Sequence, residues 1–337
     1  MHATVRKLLA GEPLAAADTR TAFDAVIRGD FSDIELTALL VGLKVRGETA
    51  GEIAGAVAAL REGARHFPRP DYRFGDIVGT GGDGGGTINI STAAAVVAAE
   101  AGLPIAKHGN RAISSRCGAA DLLERFGVRL DMSPETARRC LDETRITFLF
   151  APHYHSGIRH AMPVRQRLAT RTVFNLLGPL VNPAHPPVML VGVYAPALCV
   201  TAAETLRMLG AERALVVHGL GLDEIALHGE TEAAELVDGE VVPRRFTPAD
   251  FGVTSLPLAS IAGGEPAENA RAIGELLGGR GAEAHAAAVA VNAAALLTLA
   301  GITARLADGY ALAREVIAGG GALERLGRFA ELSRSEP

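Results

Sequence analysis

Between a short β-favouring run, Asp76-Ile77-Val78, and an alanine-rich helical pattern reaching Ala101 lies Gly79-Thr80-Gly81-Gly82-Asp83-Gly84-Gly85-Gly86, then Thr87-Ile88-Asn89-Ile90-Ser91-Thr92 at the start of the helix. A strand, a flexible turn and a helix start in that order make an anion site, because unpaired backbone N–H groups and the helix dipole both point at the turn. Such a unit needs a sheet around it. Residues 103–106, 146–150, 188–194 and 214–218 are further β-favouring runs, with helical patterns between several of them. That alternation predicts an α/β fold with a largely parallel central sheet. One helix start is explicit, since Ser133 caps and Pro134 suits the first helical position.

The chain before residue 70 reads as helices alone. Leu36, Leu39, Leu40 and Leu43 recur at amphipathic spacing, and Thr49 with Glu52 forms a capping box ahead of Ile53, Val57 and Leu60, with 44–49 as the intervening turn. Phe67-Pro68-Arg69-Pro70 ends that pattern. The expected organisation is a small all-helical domain over 1–68 and a large α/β domain over 69–337. The helical, irregular segment 162–183 is expected to rejoin the first domain.

A chain of 337 residues, 48% of them hydrophobic, can bury a substantial core. Its net charge of −5 argues against a general nucleic-acid or anionic-membrane binder, whose surface needs excess Lys and Arg. Cys117, Cys140 and Cys199 form no CxxC pair, so neither a disulfide framework nor a thiolate metal site is indicated, and a reducing cytoplasm is expected. Glu12 and Asp18 interrupt any secretory apolar stretch. The apolar run 286–302, broken by Asn292 and Thr298, is rich in alanine and lacks aromatic anchors, which favours a buried helix over a membrane span.

Gly79, Gly81 and Gly84 also satisfy GxGxxG, and Glu100 stands where a dinucleotide fold wants its ribose-binding acid. The chemistry weighs against that reading. Asp83 would repel a bare pyrophosphate unless a cation or a ribose hydroxyl intervened, and Asn89, Ser91 and Thr92 offer more polar groups than a dinucleotide requires. A metal-bound phosphoribosyl pyrophosphate suits the loop better. A second polar loop, Lys107-His108-Gly109-Asn110-Arg111 with Ser114-Ser115 and Gly118-Ala119-Ala120-Asp121, follows the next strand and faces the same edge. Asp223-Glu224 follows the run ending at His218. Each of these groups alone is ordinary surface; together they suit magnesium, a hard cation that bridges one or two carboxylates to substrate phosphates.

Gly79-Thr80-Gly81-Gly82-Asp83, Asn89-Ile90-Ser91-Thr92, Lys107-His108-Gly109-Asn110-Arg111 and Arg171-Thr172-Val173-Phe174-Asn175-Leu176-Leu177-Gly178-Pro179, followed by Asp223-Glu224, resemble the successive motifs of the anthranilate phosphoribosyltransferase family. The resemblance runs from the N-terminal helices to at least residue 230. It implies a helical and an α/β domain that clasp both substrates, a homodimer formed through the helical domains, and Mg2+ as the cofactor. It also implies transfer of the phosphoribosyl group of phosphoribosyl pyrophosphate to the amine of anthranilate, in tryptophan biosynthesis.

By the same resemblance, Gly79, Gly82, Asp83, Thr87, Asn89, Ile90, Ser91, Thr92, Lys107, His108, Gly109, Asn110, Arg111, Ser114, Ser115 and Ala119 hold phosphoribosyl pyrophosphate. Gly79, His108, Asn110, His155, Arg165 and Pro179 take anthranilate, and Ser91, Asp223 and Glu224 serve the metal. No single essential acid or base is implied. The chain departs from the family where serines are usual, at Cys117 and Ala119, so that Ala119 offers backbone contact alone. It departs again at Ser156-Gly157-Ile158, where Pro-Ala-Met is more typical. A nucleoside phosphorylase, a nucleic-acid-binding relative and a nicotinamide dehydrogenase are the competing readings. Arg165 with Asn110, the complete acidic pair and the acidity of the chain weigh against them.

Overall fold

The computed structural model describes residues 1–112 and 116–335. Four helices come first: α1 (Ala3–Leu9), α2 (Ala16–Arg28), α3 (Asp33–Arg46) and α4 (Ala50–Glu62). Ser32 with Glu35 and Thr49 with Glu52 form capping boxes that start α3 and α4. The turn between these helices is shorter than the predicted 44–49, because α3 continues through Lys44 to Arg46 before Gly47, at φ 87°, ends it. Two cations in a last helical turn complement its exposed carbonyls, which favours that extension.

Strands and helices then alternate: β1 (Gly75–Gly79), α5 (Ile90–Glu100), β2 (Ile105–Gly109), α6 (Ala119–Arg125), α7 (Pro134–Thr144), β3 (Ile146–Phe150) and α8 (Ala151–Tyr154). Ser133 caps α7 through the Thr136 amide, with Pro134 in its first turn. A 3-10 turn, α9 (Met162–Leu168) and α10 (Phe174–Leu180) follow without a strand, and then come β4 (Val188–Gly192), α11 (Leu198–Met208) and β5 (Arg213–His218). Among the described residues the sheet order is β3-β2-β1-β4-β5-β6-β7. The strands from β3 to β5 are parallel, and β6 (Thr231–Val237) and β7 (Glu240–Phe246) form an antiparallel edge.

That edge hairpin is absent from the sequence expectation. Glu232, Glu235, Arg244, Arg245 and Pro243 hide its alternation, yet charge and proline suit an edge strand. Its turn, Asp238-Gly239, has φ of 52° and 81°, as a two-residue type I′ turn requires.

Alternating strand residues feed two apolar layers. Ile77, Leu190 and Leu215 pack with α5 and α13 (Glu283–Leu299) on one face. Val78, Met189, Val191 and Val216 face the other side, with Leu39, Leu40, Leu60, Val164, Phe174 and Leu177 in the same cluster. The N-terminal helices and residues from 161 to 181 therefore share one core against the sheet. α12 (Pro266–Leu277), α14 (Leu306–Gly319) and α15 (Gly321–Ser333) complete the opposite layer.

Helix α13, which overlaps the apolar run noted above, is buried on almost every side. Among the described residues no helix is long and apolar enough to cross a membrane. Its one amide, Asn292, accepts from the Ile225 backbone N–H at 3.0 Å and donates to the Ala288 carbonyl at 2.9 Å.

Candidate active site

The carboxyl ends of β1, β2 and β5 carry the glycine loop, the Lys107 loop and the acidic pair. Strand order reverses direction at β1, with β2 on one side and β4 on the other, and in open α/β sheets ligands bind in the crevice at such a point. Gly79 and Gly192 pair across β1 and β4. A Cβ on Gly79 would stand 2.2 Å from Asp223 Oδ2, and one on Gly192 would stand 1.6 Å from the Asp223 carbonyl oxygen. Two glycines side by side thus leave the gap through which the Asp223 segment reaches the first loop. There the Gly81 N–H donates to Asp223 Oδ2 at 2.6 Å, and the Ser91 N–H donates to Glu224 Oε1 at 3.1 Å. Asp83, Asp223 and Glu224 therefore converge on one edge of the sheet.

This convergence is electrostatically costly. Asp223 and Glu224 are buried, and desolvation together with the neighbouring carboxylates pushes both above the ordinary carboxylate range. Lys107, 3% exposed, donates to the Ile77 carbonyl; burial lowers its pKa while Asp76, Glu224 and Asp223 raise it. Lys107 beside Asp223 and Glu224, with Asp83 next to that pair, leaves carboxylates in excess and a site that favours added cations. Among the described residues no group of three or more His, Cys, Asp or Glu side chains is arranged to hold a metal by itself. A donor set of this kind fits a hard cation that arrives on a phosphate and keeps several waters.

A different surface lies beside it. His108 Nδ1 is 3.2 Å from the Gly178 carbonyl and His155 Nδ1 is 3.2 Å from the Leu60 carbonyl, and the rings meet edge to face at 5.3 Å. A carbonyl can only accept, so both imidazoles carry their proton on Nδ1. Their Nε2 atoms are buried without a hydrogen-bond partner. Burial holds His108 well below its ordinary pKa and His155 at about 4, so both are neutral. Pro179, next to Gly178, is buried in α10. One helical turn before Gly178, the Phe174 ring lies 4.8 Å beneath the Arg165 guanidinium. That guanidinium is partly withdrawn from water, which lowers its pKa, and pairs with no carboxylate among the described residues.

A family model described as "Glycosyl transferase family, a/b domain" matches residues 71–323, and one described as "Glycosyl transferase family, helical bundle domain" matches residues 3–64. The anthranilate phosphoribosyltransferase of Aeromonas hydrophila is 54% identical over 336 residues, covering 100% of this chain and 98% of its own, and that of Sorangium cellulosum is 55% identical over 334 residues, covering 99% and 96%. The chain belongs to the anthranilate phosphoribosyltransferase family. The structure of the Thermus thermophilus family member superposes with a TM-score of 0.94 at 44% identity, covering 99% of this chain and 100% of that one. The Saccharomyces cerevisiae member in complex with phosphoribosyl pyrophosphate and Mg superposes with a TM-score of 0.89 at 30% identity, covering 98% and 97%.

Most of the residues singled out from the motifs of this family lie around the crevice. Gly82 and Asp83 are in the first loop. Thr87 forms an isolated bridge with Ala262, and Asn89 precedes the first turn of α5, which holds Ser91 and the buried Thr92. Gly109 ends β2, Asn110 is exposed beyond it, and Ala119 opens α6. Ile90 is 1% exposed and packs in the core, so it offers the site its backbone. The Arg111 guanidinium turns away to Glu124, at 2.8 Å, and lies over the Phe150 ring. Ser114 and Ser115 lie outside the described residues.

Four residues that hold the site together escaped the motif reading. Asp76 Oδ2 accepts from Asn182 Nδ2 at 2.8 Å and lies 3.4 Å from the His108 N–H, and Asn182 also donates to the Ala106 carbonyl at 2.8 Å. This pair ties β1 and β2 to the chain just after α10. Asn292 holds the residue after Glu224, and Gly192 makes room for Asp223. The one signal for any of them was a lone amide inside the apolar run.

The two neutral histidines give a pH-dependent stability. His155 falls from 6.5 to about 4 on folding, so below pH 6.5 the unfolded chain binds a proton that the folded chain refuses. This contribution is fully present above 6.5 and is lost as pH drops towards 4, by up to ~3 kcal/mol. The buried carboxylates titrate in the opposite sense, so the readout is the difference between wild type and His155→Leu in urea midpoint from pH 7 to 4.5. The variant is expected to lose less stability on acidification; parallel curves would contradict a neutral buried His155.

Proposed function

We infer that the chain transfers the phosphoribosyl group of phosphoribosyl pyrophosphate to the amine of anthranilate, giving N-(5-phosphoribosyl)anthranilate and pyrophosphate in tryptophan biosynthesis. The observation that carries this reading is the two-sided crevice. An acidic, cation-demanding cradle at the strand ends adjoins a wall of neutral histidines, with a guanidinium above Phe174 that pairs with no carboxylate among the described residues. The first side suits a metal-bound pyrophosphate and the second an aromatic carboxylate. Solved structures of the Saccharomyces cerevisiae relative are in complex with phosphoribosyl pyrophosphate and Mg, or with 4-fluoroanthranilate.

In this reading Asp83, Thr87, Asn89, Thr92 and Lys107, with the backbone of Gly79, Gly82, Ile90, Gly109 and Ala119, hold phosphoribosyl pyrophosphate, and Ser91, Asp223 and Glu224 hold Mg2+. Magnesium, when bound with the pyrophosphate, neutralises the charge that grows on the departing oxygens. Lys107 adds a buried positive charge on the same side. Arg165 and Asn110 orient the anthranilate carboxylate, while His108, His155 and Pro179 wall the ring and exclude water. An aromatic amine is neutral and nucleophilic at pH 7, so the chain need supply no strong base; its nitrogen bonds the anomeric carbon as the carbon–oxygen bond to pyrophosphate breaks, and then loses a proton. Loss of anthranilate fluorescence that requires protein, phosphoribosyl pyrophosphate and Mg2+ together tests the assignment. Release of a nucleobase from a nucleoside in the presence of inorganic phosphate, with anthranilate left unchanged, would replace it with a phosphorylase.

The helical segment to residue 68, with 162–183, acts in this proposal as the lobe that presents Arg165 to the α/β domain. The same lobe is the dimer surface. Helix α3 exposes Ile34 (82%), Val41 (36%) and Val45 (82%), spaced by seven and four residues along one face, and Leu9 of α1 is 60% exposed. A second copy would cover them. Ile34→Glu with Val45→Glu is expected to convert a dimer into a monomer in sedimentation at micromolar concentration without loss of the far-UV signal; a variant that remains dimeric would place the interface elsewhere. Three buried, unpaired cysteines fit a reducing cytoplasm.

A further inference from the structure

Three elements meet at a relay of two side-chain amides. Asn269, in the first turn of α12 and 2% exposed, accepts from the Gly264 N–H through Oδ1 at 2.7 Å. Its Nδ2 donates to Asn89 Oδ1 at 2.9 Å, and Asn89 Nδ2 donates to the Cys117 carbonyl at 2.9 Å. The direction of this relay follows from its ends. A backbone N–H can only donate, so Asn269 must turn its oxygen to Gly264 and its nitrogen to Asn89. Asn89 then accepts through its oxygen, and its nitrogen meets a carbonyl that can only accept. Both amide orientations are thus set by backbone groups rather than by chance.

What the relay grips is the far end of the Lys107 loop. Asp121 Oδ2 accepts from the N–H groups of Ala112 and Gly118, at 2.8 and 2.9 Å, which draws the two ends of that loop together. The Cys117 carbonyl, beside Gly118, is the point at which this end is fastened to the start of α5. A Cβ on Gly118 would stand 2.3 Å from the Ala112 nitrogen, so the closure has no slack there. The first turn of α5 and this loop are the two sides between which a pyrophosphate has to fit.

We propose that Asn269 is a positioning residue for phosphoribosyl pyrophosphate: acting through Asn89, it sets the distance between the Lys107 loop and the first turn of α5. The inference rests on the substrate reading above, and Asn269 itself need not touch the substrate. Asn269→Asp keeps the shape and the acceptor for Gly264 but presents an oxygen to Asn89 Oδ1. The Asn89 amide then either loses that bond or flips, and a flip sets oxygen against the Cys117 carbonyl.

Steady-state kinetics with both substrates varied, and the rise in melting temperature on adding phosphoribosyl pyrophosphate with Mg2+, test this. Asn269→Asp is expected to raise the KM for phosphoribosyl pyrophosphate about tenfold and to shrink its thermal shift, with the KM for anthranilate changed less than about twofold. Because Asn269 acts through Asn89, Asn269→Ala added to Asn89→Ala should cost little beyond Asn89→Ala alone. If Asn269→Asp does not fold, Asn269→Ser is measured in its place. Equal losses for both substrates, or additive effects of the two alanine variants, would overturn the relay. An inactive wild type would overturn the substrate reading along with it, whereas an active wild type beside a variant with unchanged KM overturns the relay alone.

Discussion

Asp223→Asn combined with Glu224→Gln is expected to lower turnover by about 10²–10³-fold while the protein, free of substrate, melts at a higher temperature than wild type. The two effects share one cause. Both carboxylates are buried beside each other and near Asp83, and their pKa values are pushed up, so the fold disfavours their charged forms and burying them costs stability. Amides of the same shape remove that repulsion and can still accept from the Gly81 and Ser91 N–H groups. They withdraw the anionic donors that a hard cation prefers, so turnover should need more Mg2+. Anthranilate affinity should change little, because its wall is made by His108, His155 and Pro179 and not by the acidic pair. Turnover and metal dependence at wild-type values would return Asp223 and Glu224 to a structural role.

Arg165→Ala should raise the KM for anthranilate about 10- to 100-fold, the ~1.5–3 kcal/mol of a hydrogen bond to a charged group, with a much smaller change for phosphoribosyl pyrophosphate. A partly desolvated guanidinium with an aromatic ring below it, whose contacts among the described residues include the Met162 thioether but no carboxylate, lacks the anionic partner that its burial calls for. Arg165→Lys should recover part of the loss, since the charge returns without the planar fork. Kinetics in both substrates separates the outcomes: equal losses for the two would place Arg165 in the phosphate site or in the packing of α9.

The parts of this molecule that were legible in sequence are those in which local chemistry repeats global architecture. Thr49 with Glu52, Ser133 with Pro134, and the glycine loop between β1 and α5 each announce a helix start by the groups its backbone needs. The alternation after residue 70 announces parallel strands. The loops at three strand ends could be grouped because parallel strands deliver their carboxyl ends to one edge. The β6–β7 hairpin escaped because an edge strand exposes charge where a pattern of period two is sought, although Asp238-Gly239 carried its turn. Asn182, Asn269, Asn292 and Gly192 escaped for a different reason: the groups they meet across the site are far away in sequence, 106 residues for Asn182 and Asp76, 67 for Asn292 and Ile225 and 180 for Asn269 and Asn89, and no local pattern marks a residue whose partner is so distant. Arg111 shows the converse, a motif cation whose side chain is engaged by Glu124 of the neighbouring helix.

The central claim is that one crevice joins a metal-bound phosphoribosyl pyrophosphate to an aromatic amine. Incubating the purified protein with anthranilate, phosphoribosyl pyrophosphate and Mg2+, and quantifying both products by mass spectrometry, tests it most directly. The account predicts N-(5-phosphoribosyl)anthranilate and pyrophosphate in equal amounts, with neither formed when the protein or the metal is left out. Pyrophosphate released without a phosphoribosylated amine, or no consumption of anthranilate by folded protein, would contradict it.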